Sequence, residues 1–274
     1  MKAGIAVVLL ALVLALPEPV RAQDQHVHES ADTTSAREHV APPPPQLEMP
    51  DLSHAEMTRL MGMNDRETSG HIVVDQLEWT GSGGQDGASW DGHAWFGRDE
   101  GRIWLNAEGE STGGRTGDAE LGLVYDRYIS RWWSLQAGAR VQYGEGPSRN
   151  WLAVGIHGLA PYFFDLAATA YLGEGGRASF KLKSGYEMLF TQRLILQPFL
   201  EFNLHSQDDP ERRVGSGLST AQLGLRLRYE IRRQFAPYIG VSFDKAFGET
   251  GDLVRQAGGD ASETRFVAGL RLWF

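Results

Sequence analysis

Soft metal donors are concentrated near the start of this chain. His26 and His28 form a His-x-His pair, and His39, Met49, His54, Met57, Met61 and Met63 follow. Half of the eight histidines and four of the six methionines therefore lie between residues 26 and 63. Imidazole nitrogen suits copper, and thioether sulfur in a chain without cysteine suits Cu(I) in particular. A plainer reading stands beside this one: Met57, Leu60 and Met61 at helical spacing dock a short amphipathic turn, and the histidines are simply solvated. A second group, His93, Glu108, Glu110, Glu120 and His205, lies further along, with Lys181, Lys183, Arg226, Arg228 and Arg265 at matching parity. In a narrow interior these either attract cations or neutralise one another in a paired network.

Nucleophilic chemistry has thinner support. Gly215-Ser-Gly-Leu-Ser219 resembles a nucleophile elbow only loosely, because no helical pattern follows it. His157 has no assignable serine partner. The absence of cysteine excludes disulfides, thiolate metal sites and a cysteine nucleophile. A formal net charge of -9 over 274 residues argues against nucleic acid as a partner, since phosphate binding needs clustered Lys and Arg.

The elements that would position these groups fall into three segments. Residues 1–22 read as a signal peptide: Lys2, an apolar run from Ile5 to Leu16, and the small-x-small ending Val20-Arg-Ala22. Residues 23–70 read as a flexible periplasmic tail, poor in aliphatics, interrupted by Pro42 to Pro45, with three Arg against nine Asp and Glu. From residue 71 to 274 the period of the pattern becomes two. Leu223, Leu225, Leu227 and Tyr229 alternate with Gln222, Gly224, Arg226 and Arg228, and Phe266, Ala268, Leu270, Leu272 and Phe274 share a face.

Marking such runs predicts strands near 72–80, 88–98, 102–112, 116–129, 132–143, 149–159, 162–172, 177–190, 193–205, 218–231, 235–247 and 263–274. Most exceed the five or six residues usual in soluble sheets and match the ~9–11 needed to cross a bilayer at a tilt. Connections are short at one end and longer at the other, with the longest near 206–217 and 248–262. The expected fold is all-β: a 12-stranded antiparallel transmembrane outer-membrane β-barrel, lipid outside and charge inside, with a disordered N-terminal periplasmic tail. Both chain ends then lie on the periplasmic side, and Trp273-Phe274 is the terminal aromatic presented to the barrel assembly machinery. A soluble sandwich or lipocalin-like barrel is the competing fold. Pro198 and Pro237 fall within predicted strands and imply bulges or late starts, and Asp75 shares parity with Val73, Leu77 and Trp79, leaving the first register undefined.

Motifs spread over residues 71–274 sharpen the reading. Asp75-Gln-Leu-Glu-Trp79, Trp90-Asp-Gly-His-Ala-Trp95-Phe-Gly97, Gly146-Pro-Ser-Arg-Asn-Trp151, Gly158-Leu-Ala-Pro-Tyr162, Gly173-Glu-Gly-Gly-Arg177, Leu194-Ile-Leu-Gln-Pro198, Phe235-Ala-Pro-Tyr-Ile-Gly240 and the closing Thr264-Arg-Phe-Val-Ala-Gly-Leu-Arg-Leu-Trp-Phe274 occur in order. Together they resemble the copper-resistance protein B family of outer-membrane proteins. The resemblance implies a barrel that handles periplasmic copper, a periplasmic multicopper oxidase encoded alongside it, and copper ions bound by a His/Met-rich N-terminal segment. It assigns no catalytic residue. The tail lacks the repeated Met-Asp-His units common in that family, which implies capture or delivery of one or two ions. The expected function is therefore non-enzymatic copper binding with sequestration or export from the periplasm. The alternatives are a lipid-modifying barrel enzyme and a general diffusion porin.

Overall fold

A computed structural model describes Ser53, Glu56, Met57, Met61 and residues 68–274, apart from 83–84, 99, 113–114 and 145. His26, His28, His39, Met49, His54 and Met63 lie outside the described residues. In the first part of the chain, Glu56 Oε2 accepts hydrogen bonds from the Ser53 amide (3.1 Å) and hydroxyl (2.6 Å), the reciprocal arrangement that starts a helical turn.

From Ser69 onward the chain forms an antiparallel barrel. The strands are β1 (Ser69–Ser82), β2 (Gln85–Arg98), β3 (Gly101–Thr112), β4 (Arg115–Tyr128), β5 (Trp133–Tyr143), β6 (Arg149–Ala160), β7 (Phe164–Gly173), β8 (Ala178–Gly185), β9 (Met188–Leu189), β10 (Leu194–His205), β11 (Gly217–Tyr229), β12 (Phe235–Ala246) and β13 (Ser262–Trp273). One short helix, α1 (Gly248–Gln256), interrupts the last connection. Each strand pairs with its sequence neighbours except that β8 and β9 both pair with β10 and not with each other; β10 pairs on its other side with β11, and β13 closes on β1, with Ile72 and Phe274 exchanging backbone hydrogen bonds. β8 and β9 lie on one line beside β10, so thirteen segments make twelve staves. The predicted fold class is the one observed, and eleven of the twelve predicted strands appear as continuous elements near their expected limits.

The alternation acts as predicted. Leu121, Leu123 and Tyr125 of β4, Leu152 and Val154 of β6, and Leu223 and Leu225 of β11 face outward and are exposed. Asp126, Arg226 and Arg228 on the opposite parity are buried. An apolar outside around a charged inside is the inverse of a soluble domain and suits a lipid surround.

Three irregularities refine the sequence reading. A bulge shifts the β1 register at Asp75–Gln76 against both β2 and β13. Asp75 and Gln76 consequently both face inward, and Leu77 and Trp79 turn out to lipid, which resolves the parity conflict at Asp75. Pro237 does delay pairing, since β12 meets β11 only from Tyr238. The expectation for Pro198 needs correction: β10 runs through it without a bulge, and the defect falls on the neighbouring stave. Pro198 accepts from the Tyr186 amide at 3.1 Å but has no N–H to return. The strand expected over 177–190 is therefore broken at Tyr186–Glu187, although its register beyond the break is unchanged.

Glycine has a packing role inside. Trp151 stands directly across from Gly173, Phe199 from Gly224 and Tyr238 from Gly269. In each case the aromatic ring occupies the space that a Cβ on the glycine would need.

Candidate functional site in the barrel lumen

The inward side chains enclose a cavity of about 1430 Å³. Its central feature is a set of ion pairs between opposite walls. Lys181 and Lys183 project from β8. Lys181 contacts Glu108 on β3 and lies 2.9 Å from Glu120 on β4. Lys183 contacts Glu108 and lies 3.2 Å from Asp91 on β2. Arg140 on β5 approaches Glu120 at 2.8 Å. Three staves, β5 to β7, separate β4 from β8, so the Lys181 and Lys183 pairs bridge the interior rather than run along the wall.

Further pairs brace the rest of the lumen. Arg226 meets Glu78 at 2.6 Å, with its guanidinium 3.9 Å from the Phe199 ring centre. Arg265 meets Asp244 at 2.9 Å and Glu110 at 3.2 Å. Arg271 meets Asp75 at 3.1 Å. His93 Nδ1 lies 3.0 Å from the other oxygen of Asp75, and its ring stacks on Trp104 with 4.9 Å between centres. Buried charges persist only with such partners, because an unpaired one in a poorly hydrated interior is costly.

Each of the sequence-predicted lumen residues lines the interior and has a polar partner there. Glu108 and Glu120 share the lysines, Glu110 holds Arg265, His93 holds Asp75, and His205 Nδ1 lies 2.9 Å from Ser219 Oγ. Among the described residues, no three His, Asp or Glu side chains converge to hold a metal ion. The arrangement is the paired network rather than an open acidic strip. Glu78 and Arg140 are partners that the sequence reading did not single out; the parity of Glu78 with Thr80 was the available signal, masked by the bulge.

The Ser219–His205 contact does not have the polarity of a nucleophilic pair. Ser219 Oγ donates to the Gly215 carbonyl at 2.7 Å, so the imidazole is left as donor to the serine. Ser219 is almost fully buried, inside the wall.

The mouth at the long-loop rim is crossed by the segment 206–216. Its Arg212 is buried and donates to the Pro147 carbonyl in the β5–β6 connection at 2.9 Å and to Asp118 on β4 at 2.5 Å. Asp209 receives two hydrogen bonds from Arg149, at 2.9 and 3.1 Å. Burial works against the Asp209 carboxylate, but Arg149, Arg177 and Arg212 outweigh it and hold the group below the usual aspartate range. The Gly215 amide donates to Thr250 Oγ1 on α1 at 2.8 Å, tying the segment to the helix.

Of the tail donors, Met57 and Met61 are both exposed, and the Met61 amide donates to the Met57 carbonyl at 2.9 Å. This i to i+4 bond puts the two side chains on one helical face.

A closed barrel of twelve staves, apolar outside and braced by charge inside, defines an outer-membrane β-barrel protein. Residues 68–274 match the family described as copper resistance protein B precursor. A copper resistance protein B of Escherichia coli is 45% identical over 203 residues, covering 74% of this chain and 69% of that protein. A copper resistance protein B homolog of Pseudomonas syringae pv. tomato (strain ATCC BAA-871 / DC3000) is 41% identical over 212 residues, covering 77% and 72%. The chain belongs to the copper resistance protein B family. Among solved structures, the NanC porin superposes with a TM-score of 0.48 at 11% identity, covering 74% of this chain and 99% of that one. The KdgM porin gives 0.42 at 12%, with the same coverage.

Proposed function

We propose that the protein captures copper at the periplasmic face of the outer membrane with the soft donors of residues 23–70 and retains it there or hands it on, rather than passing it freely through the barrel. The observation that carries this reading is the coincidence of a copper-resistance barrel with a cysteine-free segment rich in His and Met immediately before it. His26, His28, His54, Met49, Met57, Met61 and Met63 are the assigned ligands, and the shared face of Met57 and Met61 supports a thioether pair for Cu(I). The lumen residues His93, Glu108, Glu110, Glu120 and His205 act as structural charge and hydrogen-bond partners in this reading, since each already has one. A periplasmic multicopper oxidase is the expected recipient, and no step of covalent catalysis is assigned to the barrel.

The test is competitive titration of the mature full chain with Cu(I) and Cu(II) under chelator control. Replacing the seven ligands by Ser and Leu should abolish the tight sites while leaving the heat-dependent electrophoretic shift of a folded barrel intact. Unchanged binding in that variant would overturn the proposal.

A further inference from the structure

The two rims of the barrel treat their arginines differently. Toward the long-loop rim, Arg149, Arg177, Arg212, Arg255 and Arg265 each meet a carboxylate. At the rim that carries both chain ends, Arg127, Arg131, Arg193, Arg232 and Arg233 are exposed, and among the described residues none of them meets one. The carboxylates of that rim are already engaged: Arg228 holds Glu187 and Glu230, and His157 lies beside Asp165. The turn after β2 is the exception, since Arg98 is followed there by Asp99 and Glu100 and leaves no cationic surplus.

The bare cations stand where the apolar belt ends. Arg127 lies across from Leu135 and shares the parity of Leu121, Leu123 and Tyr125, so it projects from the lipid face of β4 itself. Arg131 follows in the next turn, with its guanidinium 5.3 Å from the Trp132 ring centre. Arg193, Arg232 and Arg233 occupy the turns after β9 and β11, and these two turns are fastened together by the Glu230 amide, which donates to the Arg193 carbonyl at 2.8 Å. Beside them the exposed Tyr229 and Phe235 pair with Leu194 and Leu272 on the lipid face, and Phe190 and Ile231 are also exposed. Three guanidiniums are thereby gathered at the edge of a continuous apolar surface. Cations at that level of a membrane protein meet lipid phosphates, which a guanidinium binds through paired hydrogen bonds.

We propose that this rim recognises anionic phospholipid, with its principal seat at the adjoining turns of Arg193, Arg232 and Arg233. The guanidiniums hold the phosphodiester, and the acyl chains run over Phe190, Tyr229, Ile231 and Phe235. The surplus of positive charge selects a headgroup of net negative charge over a zwitterionic one. A lipid fits better than an acidic soluble partner, because Arg127 lies on the lipid face and the three clustered arginines border apolar residues that face the same way.

Native mass spectrometry of the mature full chain in mild detergent tests this, with phosphatidylglycerol and phosphatidylcholine added at equal concentration. A preference of about tenfold for phosphatidylglycerol is expected, and it should shrink as the ammonium acetate concentration is raised, because exposed charges are screened. Combining Arg193→Gln, Arg232→Gln and Arg233→Gln should remove most of the preference. Arg255→Gln, on α1 at the other rim, should leave it intact. Equal retention of the two lipids by the wild type, or an undiminished preference in the triple variant, overturns the proposal. So does displacement of the lipid by equimolar sn-glycerol 3-phosphate, which would mark a site for free phosphate, or by equimolar polyglutamate, which would mark a site for an acidic protein. Folding of each variant is read from the heat-dependent electrophoretic shift, and if the triple variant does not fold, the wild-type comparison of the two lipids decides alone.

Discussion

Lys181 Nζ and Glu120 Oε2 lie 2.9 Å apart although their strands stand on facing walls of the barrel. With Lys183, Glu108 and Asp91 they form a brace across the lumen. Removing the lysines as Lys181→Met with Lys183→Met leaves the part-buried carboxylates of Asp91 and Glu108 without their lysine partners and Glu120 with Arg140 alone. Breaking a fully buried pair in this one-sided way costs about 3–5 kcal/mol, and solvent screening of these part-exposed groups makes the loss smaller. The variant should unfold at lower temperature, and planar-bilayer recordings should show raised conductance with cation preference. Adding Glu108→Gln should recover part of the thermal loss.

Met57 and Met61 share a helical face through the hydrogen bond between their backbones. Met57→Leu with Met61→Leu preserves size and apolar character but removes both sulfurs. Affinity for Cu(I) should fall by about tenfold or more, the loss of roughly 1.4 kcal/mol, while affinity for Cu(II), which prefers the imidazoles, changes little. Chelator competition in each oxidation state checks this.

Acid should loosen the segment 206–216. Asp209 is held below its ordinary value of about 3.9, so the folded segment favours the carboxylate. The stabilisation from Asp209 is fully present above that value and is lost as pH falls through the lower, folded one. Hydrogen exchange of residues 206–216 should therefore accelerate only under strongly acidic conditions. Asp209→Asn should show fast exchange already at neutral pH, because Arg149, Arg177 and Arg212 lose their shared anion.

Gly224 lies beneath the Phe199 ring, and that ring carries the Arg226 guanidinium, which binds Glu78. Gly224→Leu should displace the ring and disturb the Arg226–Glu78 pair, a destabilisation of about 1–3 kcal/mol as for other overpacked interiors. Phe199→Ala added to Gly224→Leu should restore much of it. Thermal melts of the single and double variants measure the coupling.

The barrel was legible in the sequence because lipid outside and charge inside impose a strict two-residue alternation, visible from Leu223 to Tyr229 without knowledge of any neighbour. The same rule sent Lys181, Glu108 and Glu120 inward, but it carries no information about which of them meet. Their strands are not neighbours in the sheet, so the pairing across the lumen appears only in three dimensions. Two local features also escaped the alternation. The bulge at Asp75–Gln76 changes parity within one strand, and the break at Tyr186–Glu187 arises from a missing N–H on the adjacent strand, at Pro198. The latch made by Asp209 and Arg212 lies in a loop, where periodicity says nothing.

The bulge in β1 bears on the order in which the barrel is made. It displaces β1 by the same single residue against β2 and against β13, so the ring still closes, and two successive side chains face inward where the pleat allows one. Gln76 stands opposite Asp91, and Asp75 is left to engage Arg271. Asp75 belongs to the first strand to be synthesised and Arg271 to the last. Their ion pair exists only when the two ends of the sheet have met, so it forms at completion of the cylinder and marks the end of assembly.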